Sequence, residues 1–140
     1  MAPVVIDTNV VLDLFVFNDP ACADLHEALQ QARLRWLASD GMHEELRRVL
    51  DYPHIARRLG DGGAAPVLER FVHMSHRVDE APKAPYTCRD ADDQRFIDLA
   101  VAHQALLLSK DALVLALAKR LARVGVKACT PRDLVLENAA

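Results

Sequence analysis

At 140 residues the chain has the length of one ordinary domain, enough to bury a core and too short for two. Its 51% hydrophobic and 26% charged residues are those expected of a soluble globular protein, and no apolar stretch is long enough to span a bilayer. A formal net charge of −3 excludes a basic footprint spread over the whole surface, so any nucleic-acid contact has to use local patches.

Cys22, Cys88 and Cys129 are odd in number and show no C-x-x-C spacing, which argues against a disulfide framework or zinc knuckle and for a reducing compartment. The first residues lack the basic and apolar regions of a secretory signal, so a cytoplasmic location is the expectation.

Val4-Val5-Ile6 runs without alternation into Asp7, Thr8 and Asn9, and reads as a strand buried on both faces with an acid at its end. Val10 to Phe15 predicts a helix leaving directly from it. Asp19 as N-cap and Pro20 in the first turn open a second helix, with Leu25, Ala28, Leu29 and Ala32 at helical spacing to about Arg33. Leu34 to Ala38 is short and apolar enough for a second strand, and Ser39-Asp40-Gly41 caps the next helix. That helix carries Met42, Leu46, Val49 and Leu50 on one face and stops before Pro53. A further turn or short helix is expected within 52–59, and Gly60-Asp61-Gly62-Gly63 breaks the chain.

Val67, Leu68, Phe71 and Val72 predict another amphipathic helix, Arg77-Val78 a brief third strand, and Asp79 to Asp90 a loop. From Asp92 to about Gln104 the chain reads as a helix with Phe96, Ile97, Ala100 and Val101 facing inward. Leu106 to Ser109 is a buried strand with Asp111 just past its end. Leu113, Leu117, Leu121 and Val124 define one long helix that Gly125 ends, Val126 to Cys129 a last strand, and Pro131 a terminal helical turn. Strands alternating with helices imply an α/β fold, a parallel sheet with helices on both faces, in a single domain over residues 1–140.

Four carboxylates stand apart by position. Asp7 and Asp111 each follow a buried strand and precede a helix, and each has helix capping as the modest alternative. Glu45 lies three residues after Met42 and four before Val49, on the apolar face, whereas Glu44 faces Arg47 and Arg48. A carboxylate turned to the core is costly unless it is paired or coordinates a cation. Asp90, Asp92 and Asp93 crowd a helix start, where acids complement the helix dipole. Asp93 heads the buried face, with Phe96, Ile97 and Ala100 three, four and seven residues on; Asp92 flanks it and Asp98 points away. Strand C-termini and following helix N-termini share one edge of a parallel sheet, so Asp7, Glu45, Asp93 and Asp111 can converge there. Four ionised carboxylates need protons or a cation, and oxygen ligands without Cys or His favour Mg²⁺ or Mn²⁺.

Val5-Ile6-Asp7-Thr8-Asn9, Asp90-Ala91-Asp92-Asp93 leading through Phe96-Ile97 to Leu99-Ala100, and Leu108-Ser109-Lys110-Asp111 together resemble the motifs of PIN-domain ribonucleases, the group found as toxins of bacterial toxin-antitoxin systems. Ser39 with Glu45-Leu46 and Val49-Leu50 is similar to the segment bearing that family's helical Glu. The resemblance spans nearly the whole chain in order. It implies a three-layer α/β/α sandwich around a mostly parallel sheet of order 3-2-1-4-5, and an acidic tetrad at Asp7, Glu45, Asp93 and Asp111. Thr8, Asn9 and Ser109 match the family's supporting polar positions, and Asp92 is grouped with them.

The implied activity is hydrolysis of single-stranded RNA with one or two Mg²⁺ or Mn²⁺ ions. Asp7, Asp93 and Asp111 would serve as metal ligands and Glu45 as water orienter or general base. A homodimer and an antitoxin partner are further implications, with no membrane association. Lys110 stands where the family usually has a small residue. Arg89 and Arg95 flank the acidic edge and, with Lys110, are the candidates for substrate contact. Two other classes stay open, a PIN-fold binding module without activity and a Mg²⁺-dependent phosphatase; the second typically wants another acid at the position of Asn9.

Overall fold

The computed structural model describes residues 1–134. Five strands form one sheet: β1 (Ala2–Ile6), β2 (Leu34–Ala38), β3 (Ser75–Arg77), β4 (Leu106–Leu108) and β5 (Ala128–Cys129). Their order is β3-β2-β1-β4-β5 and every pairing is parallel. β1 is the centre because Val4, Val5 and Ile6 are buried and both its edges are paired: Val4 is in register with Trp36 on β2 and with Leu106 on β4. No residue in the run needs to face water.

The helices are α1 (Thr8–Phe15), α2 (Ala23–Gln30), α3 (Asp40–Leu50), α4 (Pro53–Ala56), α5 (Ala65–Met74), α6 (Gln94–His103), α7 (Ala112–Leu115) and α8 (Ala118–Ala122). The chain winds outward from β1 through β2 to β3, then returns to β4 on the other side of β1. Crossovers of one hand therefore place helices on both faces. α3 contacts α1 and α5 while α6 packs on β1 and β4. The expected α/β/α sandwich and its strand order are thus present. Trp36 anchors one layer, with the Phe71 ring edge-on at 5.1 Å and Phe15 at 5.9 Å between centroids.

Several local expectations are corrected. α2 ends at Gln30, and Ala32, read as an inward helical position, lies beyond it at φ 56°. The supposed long helix over 113–124 is two pieces, α7 and α8. The break rotates the faces, so Val114 is buried and Leu113 is 38% exposed. Val72 is 54% exposed; α5 buries only the narrower stripe of Val67 and Phe71. β3 begins two residues early, at Ser75, and Val78 only extends the ladder by donating its N–H to the Ala38 carbonyl. The helix expected from Asp92 opens as a 3-10 turn, Ala91–Asp93, before α6.

Candidate active site

The sheet reverses its winding between β1 and β4, and the crevice beyond the carboxyl ends of those two strands is where such sheets bind ligands. Asp7 is the first residue past β1. Its N–H donates to the Leu108 carbonyl at 2.9 Å, which continues the β1–β4 ladder and fixes where the side chain leaves the backbone. Asp7 occupies the N-cap position of α1, yet its side chain makes no capping hydrogen bond. It accepts instead from Ser109 Oγ at 2.6 Å, across the switch point. Burial pushes the Asp7 carboxyl up to about 6; Ser109 opposes the rise, and the charges of Glu45 and Asp111 add to it.

Glu45 arrives from α3, whose first turn is set by Ser39 Oγ accepting from Met42 N–H at 3.4 Å. It is buried with Met42, Leu46 and Leu50 on the inner face. The Thr8 hydroxyl donates to its Oε2 at 2.6 Å, so the residue after Asp7 aims the carboxylate that α3 supplies.

Asp93 and Asp111 cluster with Asp90; Asp7 and Glu45 are not part of that cluster, and Asp7 is linked to it by its charge on Asp93 and through Ser109. Carboxylate oxygens of Asp90, Asp93 and Asp111 lie within 4.8 Å of one another. The intervening 3-10 turn explains the presence of Asp90: with three residues per turn, positions i and i+3 eclipse, so Asp90 and Asp93 share one side. Asp90 also accepts from Asp92 N–H at 3.0 Å and so caps the 3-10 turn, and Asp111 accepts from Leu113 N–H at 2.8 Å and caps α7. Ser109 Oγ accepts from Asp111 N–H at 3.0 Å and thereby links Asp7 to Asp111.

Asp93 is buried, and its Oδ2 has no hydrogen-bond partner. Burial first, then the adjacent Asp111 carboxyl and the charges of Asp7 and Asp90, push its carboxyl up to about 8.

The other residues singled out from the sequence lie around this group. Asn9 Oδ1 accepts from Lys110 N–H at 3.4 Å. Asp92 is exposed, Arg89 is exposed, and Arg95 is half-buried against the first turn of α3, where a Cβ on Gly41 would meet its guanidinium at 2.7 Å. Lys110 Nζ pairs with Asp13 Oδ2 at 2.5 Å rather than reaching into the carboxylate group. Asp98 accepts from Ala84 N–H and Gln94 Nε2, tying the 79–90 loop to α6. A cleft of about 920 Å³ between α2 and α5 contains none of these acids.

Two residues escape a reading of the sequence. Asp90 is legible there only as a helix-start acid, although its spacing of three from Asp93 is a usable signal. Asp13 has a plainer one: it is the sole charge in Val10–Phe15, a helix whose other residues there are all buried.

The donor set suits a hard divalent cation: carboxylates only, one of them buried with an orphaned oxygen, in a group that stays partly protonated at neutral pH when it holds none. The chain is thus an open parallel α/β protein with carboxylates gathered beyond the ends of its central strands. Within that architecture the chain belongs to the PIN domain family, whose sequence profile matches residues 3–119. No curated protein matches it. Among solved structures it is similar to a chain of VapBC2 from Rickettsia felis, crystallised bound to a DNA fragment from their promoter. That likeness has a TM-score of 0.61 at 13% identity, over 90% of this chain and 98% of that one.

Proposed function

We propose that the protein is a divalent-metal-dependent endoribonuclease of the PIN family, cutting phosphodiester bonds of single-stranded RNA, and that it is the toxin of a toxin-antitoxin pair. The observation that carries this reading is the buried Asp93 carboxylate with its unpartnered Oδ2, grouped with Asp90 and Asp111. Asp7 and Asp93 hold the cation, Mg²⁺ or Mn²⁺, and Asp111 holds it directly or through water. When bound, the ion supplies a Lewis acid that activates water and offsets charge developing on phosphorus. Glu45, held by the Thr8 hydroxyl, orients the attacking water or accepts its proton. Ser109 keeps Asp7 and the Asp111 backbone in one frame. Arg89 and Arg95 are the candidates to meet the phosphate backbone.

The likeness to a chain of a VapBC2 complex supports a protein antitoxin as partner. A single domain over 1–140, a homodimer and a cytoplasmic location complete the proposal; no helix among the described residues is long and apolar enough to cross a membrane. The departure at Lys110 favours a second reading, a binding module without activity. Its ammonium, however, sits on Asp13 and not among the metal-site carboxylates. The phosphatase reading loses ground to Asn9, whose amide oxygen is engaged with the Lys110 backbone.

A labelled single-stranded RNA incubated with Mn²⁺ and the wild-type protein, Asp7→Asn or Asp93→Asn tests the proposal. Cleavage is expected only from the wild type and only with metal. Metal-independent cleavage, or equal activity in the variants, would overturn it; RNA retention without cleavage would favour the binding module.

A further inference from the structure

Helix α1 contributes more to the site than Asp7 and Thr8. Asn9 and Asp13 are four residues apart, hence one above the other on the helix surface. Both reach the same residue. Asn9 Oδ1 accepts from the Lys110 backbone N–H at 3.4 Å, and Asp13 Oδ2 pairs with Lys110 Nζ at 2.5 Å. Lys110 is the middle of three residues, Ser109 to Asp111, that join the end of β4 to the start of α7 with no regular structure of their own. Its neighbours on either side carry the hydroxyl that holds Asp7 and the carboxylate that meets Asp93.

We infer that Asn9 and Asp13 form a two-point clamp on Lys110 that fixes the Ser109–Asp111 turn, making Asp13 and Lys110 positioning residues for the divalent cation. The inference rests on the metal-binding reading of the carboxylate group. Asp13 is buried among apolar residues of α1, where a carboxylate is costly unless paired, so the chain has a strong reason to keep Lys110 in this one place. A turn held at its backbone and at its side-chain end has little freedom left. Groups that orient metal ligands affect metal affinity without touching the ion.

Two simpler accounts make different forecasts. If the pair only stabilises the fold, variants melt earlier but bind Mn²⁺ as before. If it acts only through its charges, removing the ammonium tightens Mn²⁺ binding, removing the carboxylate weakens it, and removing both restores the wild-type value. The clamp requires that both single changes weaken binding and that the double change be no better.

The experiment is Mn²⁺ titration calorimetry on the full chain for wild type, Lys110→Met, Asp13→Asn, the double variant and Lys110→Arg, with metal-free melting temperatures measured alongside. The expected result is a loss of about tenfold in Mn²⁺ affinity for each single variant, no further loss in the double, and recovery of most of it in Lys110→Arg. Opposite signs for the two single variants, or unchanged affinity with lowered melting temperature, would overturn the clamp. Asp13→Asn is isosteric, and its melting curve shows whether the fold survives. A wild type that takes up no Mn²⁺ would overturn the metal reading itself, a different failure from a wild type that binds and variants that bind equally.

Discussion

Asp13 on α1 and Asp93 at the head of α6 are both buried carboxylates within reach of the same turn, Ser109–Asp111, and the chain treats them in opposite ways. Asp13 receives an ammonium from Lys110. Among the described residues Asp93 is given no cation; it is surrounded by Asp7, Asp90 and Asp111, and its Oδ2 has no partner. A buried charge has to be matched by something. Where the chain supplies the match, the residue secures structure. Where it supplies further negative charge instead, the match has to come from outside, as a proton or a cation.

The sharpest way to break this comparison is to neutralise each side. Asp93→Asn is expected to lower RNA cleavage in Mn²⁺ by about three orders of magnitude, on the order of 4 kcal/mol of transition-state stabilisation. Its effect on metal-free stability has the other sign. The carboxyls of Asp7 and Asp93, raised to about 6 and about 8, favour the folded state while protonated. Their contribution is fully present below the ordinary carboxylate range and is lost as pH rises through those values. Wild-type protein in chelator should therefore melt progressively earlier from about pH 4 to about pH 8. Asp93→Asn should flatten the upper part of that decline and melt later than wild type at pH 8. Lys110→Met, which strands Asp13, should instead cost about 1–2 kcal/mol; a fully buried pair would cost more, but Lys110 is 45% exposed. Thermal melts in chelator across pH measure all three. A stabilised Lys110→Met or a destabilised Asp93→Asn at pH 8 would dissolve the distinction.

How much of this is legible from the amino acids depends on whether local pattern or tertiary register decides. β2 is readable at both ends because Arg33 precedes and Ser39 caps, and Glu45 because a helix of eleven residues has an unambiguous inner face. The four acids are expected near one edge because strand carboxyl ends and the helix starts that follow them share it in a parallel sheet. Leu113 and Val72 are misplaced because a stripe of apolar residues does not say whether the helix under it is continuous or how wide a face its neighbours cover. The Asp13–Lys110 pair joins residues ninety-seven positions apart by the arithmetic of their numbers, and no local pattern announces it. The orphaned oxygen of Asp93 depends in the same way on packing that the sequence does not spell out.

A smaller effect probes the link between the two regions. Ser109 Oγ donates to Asp7 and accepts from Asp111 N–H, so Ser109→Ala removes the larger of the two hydrogen bonds that hold the Asp7 carboxyl down against burial. Asp7 should then titrate higher than about 6, and Mn²⁺ uptake should need a more alkaline solution. A loss of about 1 kcal/mol, somewhat under tenfold in affinity, is expected at neutral pH. It should shrink at about pH 9, where Asp7 is ionised in both proteins. Calorimetric titration with Mn²⁺ at two pH values reads this; an equal loss at both would mean that Ser109 acts on geometry alone.

The smallest effect comes from the adjacent acids of α3, and it tests whether burial rather than charge marks the site. Successive residues of a helix are about 100° apart, so Glu44 and Glu45 cannot face the same way. Glu44 has a side chain 62% exposed and pairs with Arg47 one turn on, an arrangement whose removal costs within about 0.5 kcal/mol. Glu44→Gln should leave both melting temperature and Mn²⁺ affinity where they were. Glu45→Gln keeps an acceptor for the Thr8 hydroxyl but deletes the charge that helps to raise Asp7. Asp7 should then ionise at lower pH, and Mn²⁺ uptake should begin in more acidic solution than in wild type. Two substitutions that remove the same charge from neighbouring positions would thus differ in whether the metal site registers it, because α3 turns one carboxylate to water and the other to Asp7.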